Sequence, residues 1–172
     1  MEERYTLLLQ KEGGNVVNSF TQWGIVCAKV PFKAGWKTKD LPKRDWKDEN
    51  GEDVYIPAKI PVEAYDAEFE MAYKGQELSS NPFNLHLALA QIDAFKKWLT
   101  GNDTEGGSGA MLSIYSPYST IGRQKCYLLE IGSEEPHVQV KQEGSNLYNE
   151  NVVTFKVKFR VTDPVTPFNP TS

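Results

Sequence analysis

The sequence is poor in the residues that carry chemistry. Among its 172 residues are two histidines and two cysteines, Cys27 and Cys126, which lie far apart in the chain. No two of Cys27, Cys126, His86 and His137 have the close spacing of a structural zinc site, so only folding could assemble a ligand set from them. The plainer expectation places His86 on a helix flank, His137 on a strand, and both cysteines as buried thiols in a reducing compartment. The motifs G-x-S-x-G, G-x-x-x-x-G-K-[ST] and H-E-x-x-H are all missing. Gly106-Gly107-Ser108-Gly109 follows a helical pattern instead of leading from a strand into a helix, so it reads as a connector and not as a phosphate cradle. No enzymatic activity and no cofactor are expected.

A cationic surplus is missing too. There are 19 basic and 23 acidic side chains, for a formal net charge of -4. That argues against a non-specific duplex-DNA binder, which needs a surplus of Lys and Arg to neutralise phosphates. No apolar run approaches the length of a membrane span, so no membrane partner is expected. The opening MEERYTLLLQKEGG has acidic residues first and only a short apolar run, unlike a signal peptide. The chain is therefore expected to stay in the cytoplasm where it is made. Its length and its 40% hydrophobic content suit a single globular domain over residues 1–172.

What is present is alternation. In VVTFKVKFRVTDP, Val153, Phe155, Val157, Phe159 and Val161 alternate with Thr154, Lys156, Lys158, Arg160 and Thr162. Period two predicts a strand with one buried and one wet face, ended by Asp163-Pro164. YDAEFEMAYKG mirrors it: Tyr65, Ala67, Phe69, Met71 and Tyr73 share one face, and Asp66, Glu68 and Glu70 the other. The wet faces have opposite charge, so the two strands are expected to pair. The three carboxylates could instead suggest glycosidic chemistry, but alternate positions on a solvated strand already account for them. Further strands are expected at Tyr5–Leu9, Trp23–Phe32, Met111–Tyr115, Cys126–Ile131 and His137–Lys141, with turns at Gly13-Gly14, Gly35, Gly75, Gly132 and Gly144-Ser145-Asn146. One helix interrupts them. Asn81-Pro82 would cap it, Leu85, Ala88, Leu89, Ile92, Phe95 and Leu99 form one stripe, and Gly101 ends it. Residues 83–89 also alternate and fit a strand as well. The expected class is mainly β (α+β): an antiparallel β-sandwich or barrel-like sheet pair with one flanking helix.

The stretch PKRDWKDENGEDVYIPAKI, Pro42 to Ile60, departs from this pattern. Nearly every residue from Lys43 to Asp53 is polar or charged, yet Trp46 sits among them; Asn50-Gly51 falls in the middle, and the chain turns apolar at Val54, Tyr55 and Ile56. Asn-Gly predicts a tight two-residue hairpin turn. Residues 36–60 then form an arm too polar to build a core of its own. Trp36 and Trp46, in polar surroundings, suit a contact surface. A sugar-stacking platform would use the same two residues, so a small carbohydrate- or ligand-binding β-sandwich module remains the alternative. The tail 163–172 holds three prolines and is expected to be extended and laid on another surface.

The order of these elements resembles the tail-ring proteins of tailed bacteriophages, in particular the N-terminal domain of distal tail proteins. The likeness runs from about Tyr5 to Pro164 and rests on the arm, on IDAFKKWLTG, on MLSIYSPYS and KCYLLEIG, and on the closing VVTFKVKFRVTDP. It implies a homo-oligomeric, hexameric ring in a virion or prophage tail, assembled in the cytoplasm of the bacterial host. Neighbouring tail tube and tail-tip proteins would be its partners, and DNA would be passing cargo. The arm would close the ring head to tail through Trp36, Arg44, Asp45, Trp46, Val54, Tyr55 and Ile56. Many distal tail proteins carry a second, peripheral domain, whereas this sequence runs to Ser172, so a ring without host-surface binding is expected.

Overall fold

The computed structural model describes residues 6–29, 36–74, 85–105, 107–137 and 152–170. Several expected features lie outside these residues: the Asn81-Pro82 cap, Tyr5, residues 30–32, 83–84 and 138–141, and the turns at Gly35, Gly75 and Gly144-Ser145-Asn146. In chain order the elements are β1 (Leu8–Lys11), β2 (Val16–Asn18), α1 (Ser19–Trp23), β3 (Ile25–Cys27), β4 (Lys43–Arg44), β5 (Asp53–Val54), β6 (Tyr65–Tyr73), α2 (Leu85–Thr100), β7 (Leu112–Ser116), β8 (Ile121–Ile131), β9 (Glu135–His137) and β10 (Val152–Val161).

The fold is mainly β: one curled antiparallel sheet with one main helix, and a separate two-stranded ribbon, β4–β5. The sheet order is β2-β1-β7-β8-β10-β6-β3, with β9 also on β10. The charged strands are direct neighbours. Lys156, Lys158 and Arg160 of β10 stand opposite Glu70, Glu68 and Asp66 of β6. Arg160 Nη1 donates to Asp66 Oδ1 at 2.9 Å, and Lys156 Nζ lies 3.8 Å from Glu68. Glu70 is held instead by Lys29 at 2.9 Å, and the hydrogen bond from that ammonium keeps its carboxyl below the usual range. The carboxylates thus serve a wet sheet face. On the inner face Val153, Phe155, Val157, Phe159 and Val161 are buried against Phe69 and Met71.

The outermost strands, β2 and β3, are consecutive in the chain and joined only by α1 and Gly24. So short a link brings the sheet's two edges together, which is why the sheet curls. Ser19 fastens the closure. Its buried hydroxyl accepts the Leu7 N–H at 3.0 Å and donates to the Ile25 carbonyl at 2.9 Å, while its own N–H donates to the Leu7 carbonyl. Helix α2 covers the core with Ala88, Ile92, Phe95 and Leu99 buried. The Phe95 ring meets Trp23 at 5.0 Å and Phe155 at 6.1 Å.

The body of the fold settles or changes several expectations. Trp23 is buried, but it ends α1 instead of opening a strand: Asn18 Oδ1 caps Phe20 and Thr21, and Gly24 closes the helix at φ 71°. Residues 85–89 are helix. The glycine-rich connector is pinned, with Lys11 Nζ bonded to the Ser108 carbonyl at 3.0 Å and lying over the Trp98 ring. The tail lies on its own sheet. Asp163 Oδ1 accepts the Val165 and Thr166 N–H groups, and the chain then bridges to β8 through Phe168 N–H and the Gly122 carbonyl at 3.2 Å. A side chain at Gly122 would collide with the Phe168 backbone oxygen.

Candidate functional site

The arm is a ribbon longer than its two short strands. Glu63 N–H donates to the Lys37 carbonyl, Thr38 bridges Val62, and Lys39 N–H donates to the Pro61 carbonyl. Nearer the tip, Tyr55 N–H donates to the Pro42 carbonyl, and Lys43 and Arg44 pair with Val54 and Asp53. The ribbon therefore reaches Glu63, beyond the expected end at Ile60. The hairpin exists, but the tight Asn-Gly turn does not. Residues 45–52 separate the paired strands, and the first bend is closed by Glu49 N–H on the Trp46 carbonyl. Gly51, at φ 82°, turns the chain later within this loop. Asp45, Asp48, Glu49, Glu52 and Asp53 crowd this tip, and a longer loop spreads their charges.

The ribbon buries almost nothing. Every residue from 42 to 56 is exposed. Trp36 is 61% exposed, Trp46 49%, Tyr55 67% and Ile56 65%, with Val54 and Ile60 also open. Uncovered aromatic and aliphatic side chains gathered on one projecting segment are a mark of an interaction site. Arg44 and Asp45, expected to contact a neighbour, are both exposed. Arg44 lies over the Trp46 ring at 5.4 Å, and the Trp46 indole N–H donates to Asp53 Oδ2 at 3.3 Å. This Arg44–Trp46–Asp53 cluster ties the indole to both strands of the hairpin. Reading the sequence missed Asp53 as Trp46's partner and missed Ile60. The one available signal was that Asp53 faces Arg44 if the hairpin is wide.

Among the described residues no group of three or more His, Cys, Asp or Glu side chains is placed to hold a metal ion. Cys27 and Cys126 are free and buried, and burial pushes both thiols up to about 12, so they stay neutral in ordinary buffers. His86 lies on α2 and is exposed, and His137 ends β9. A shallow depression of about 200 Å³ lies on the outer sheet face between Glu70, Glu135, Thr154 and Lys156. Among the described residues no helix is long and apolar enough to cross a membrane. The sequence matches no protein-family model and no curated protein.

Proposed function

We propose that this chain is a structural subunit of a phage or prophage tail, forming a ring at the tail tip or tube by head-to-tail contacts through its arm. The observation that carries the reading is the contrast between a finished core and an arm that leaves Trp36, Tyr55, Ile56 and Ile60 uncovered. A segment held by a few backbone bonds and exposed side-chain contacts, with apolar anchors and charges at their rim, is built for a partner. The resemblance to distal tail proteins implies a β-sandwich flanked by one helix, with a loop or hairpin that reaches the next subunit, and a mainly β fold with one main helix and a separate ribbon supports that reading. In that role neighbouring tail proteins stack above and below the ring, and DNA only passes through. A contact of the same arm with the same receiving surface on each next copy closes a ring, as heterologous interfaces do.

The alternative, a sugar-binding module, would need open indole faces. Arg44 already covers one face of Trp46, which weighs against it. The test is solution mass by light scattering at millimolar protein. The full chain is expected to form a discrete oligomer. A variant with residues 43–53 replaced by a short glycine bridge is expected to stay monomeric with an unchanged far-ultraviolet spectrum. An oligomer that survives the deletion would sink the arm's role. A monomeric full chain that binds oligosaccharide would favour the alternative.

A further inference from the structure

The arm's charges are segregated along its length. In the tip, residues 45–53, five carboxylates face one lysine, Lys47. The stalk on either side, residues 36–44 and 54–63, carries Lys37, Lys39, Lys43, Arg44 and Lys59 against Asp40 and Glu63. Few of these charges are satisfied within the chain. Lys37 meets Glu63 at 3.4 Å, and Asp53 accepts from Trp46. Among the described residues no ion pair holds Asp48, Glu49 or Glu52 in the tip, or Lys39, Lys43 or Lys59 in the stalk. In the body, Lys29, Lys96, Lys97, Lys156 and Arg160 sit on carboxylates. The stalk is also where the open apolar side chains Trp36, Tyr55, Ile56 and Ile60 lie.

We infer that the partner of the stalk's exposed apolar residues is the acidic arm tip of a second copy of this chain. The inference rests on the ring reading above and names the surface that receives the arm. An acidic tip with one aromatic, Trp46, complements a basic stalk with several apolar residues. Like-with-like contact, stalk on stalk, would bring the lysines together and is disfavoured by charge. Tip on stalk is directional, so each copy gives one contact and takes one. Complementary charge of this kind sets register and speeds encounter, while the apolar residues supply the burial.

The experiment uses two full-length variants, with every substitution at an exposed position. One reverses the tip (Asp48→Lys, Glu49→Lys, Glu52→Lys). The other reverses the stalk (Lys39→Glu, Lys43→Glu, Lys59→Glu). Each alone is expected to lose the oligomer at a concentration where the wild-type chain assembles, with its far-ultraviolet spectrum unchanged. An equal mixture is expected to regain an oligomer of the wild-type mass, holding both variants in equal parts, since every tip again meets a stalk of opposite sign. Raising the salt should dissociate the wild-type oligomer. Variants that assemble alone as the wild type does would overturn the inference. A mixture that stays monomeric, while the arm deletion still abolishes the wild-type oligomer, overturns tip-on-stalk docking and sends the arm to another surface; the ring reading survives that result. An oligomer that survives the arm deletion sinks both.

Discussion

The sheet and the arm are both made of antiparallel strand pairs, yet they obey different constraints. Between β6 and β10 the backbone ladder runs unbroken over nine residue pairs, and each inward side chain from Val153 to Val161 is buried. Between β4 and β5 the ladder has two pairs, and no side chain is buried. A strand pair that covers a core must alternate, because a one-residue slip would turn every apolar side chain into water. A strand pair that covers nothing is free of that rule, and its sequence can be spent on charge and on anchors. The difference teaches where stability and where association should reside. Substitutions that test it should separate the two.

The largest effect is expected in the core. Phe95 is fully buried between Trp23 and Phe155, so Phe95→Ala should cost about 3–5 kcal/mol in denaturant unfolding. A cost below about 1 kcal/mol would mean that α2 is not what completes the core. Next comes the closure. Ser19→Ala leaves the Leu7 N–H and the Ile25 carbonyl without their side-chain partner in a buried site. The expected loss is about 1–3 kcal/mol. Amide exchange at Leu7 should speed up with it. Exchange unchanged at Leu7 would show that the two sheet edges are held by other contacts.

What could be read from the sequence follows the same division. The stripe through Ile92, Phe95 and Leu99 and the alternation of β6 and β10 were legible because burial imposes a period on residues close in sequence. Their pairing was legible because the wet faces carry opposite charges. Helix α1 was not: with five residues it is too short to show a period, and only Asn18 and Gly24 mark its ends. The tail's place on β8 depends on Gly122 making room for Phe168, a contact between residues far apart in the chain. The arm could be recognised by its charge and its two tryptophans. Its turn could not, since Asn50-Gly51 has the chemistry of a tight turn but lies off-centre between Arg44 and Asp53, in a tip crowded with carboxylates.

A smaller effect is expected on the sheet's wet face. Arg160 and Asp66 meet at 2.9 Å, but both are substantially exposed. Exposed pairs are weak and screened by salt. A double-mutant cycle with Arg160→Ala and Asp66→Ala should show a small favourable coupling at low salt that fades in molar salt. A coupling that ignores salt would mean that the pair is effectively shielded from solvent. That would blur the line between the wet face and the core.

The smallest effect on stability is expected in the arm, and there its smallness is the informative result. Tyr55 and Ile56 are large apolar residues, but they are 67% and 65% exposed. Replacing both with serine removes little buried area from the isolated chain, so dilute unfolding should shift by no more than about 0.5 kcal/mol. The same substitutions at Phe155 or Val157 would empty the core. Under the ring reading, Tyr55→Ser with Ile56→Ser should abolish the oligomer at concentrations where the wild-type chain assembles, because those side chains are then buried by the next copy. The two readouts pull apart only if the arm is an association device. A clear stability loss in the dilute monomer would show that the arm folds back on its own sheet in solution. Unchanged stability together with unchanged assembly would show that these side chains face water in every state, and would remove the apolar half of the proposed contact.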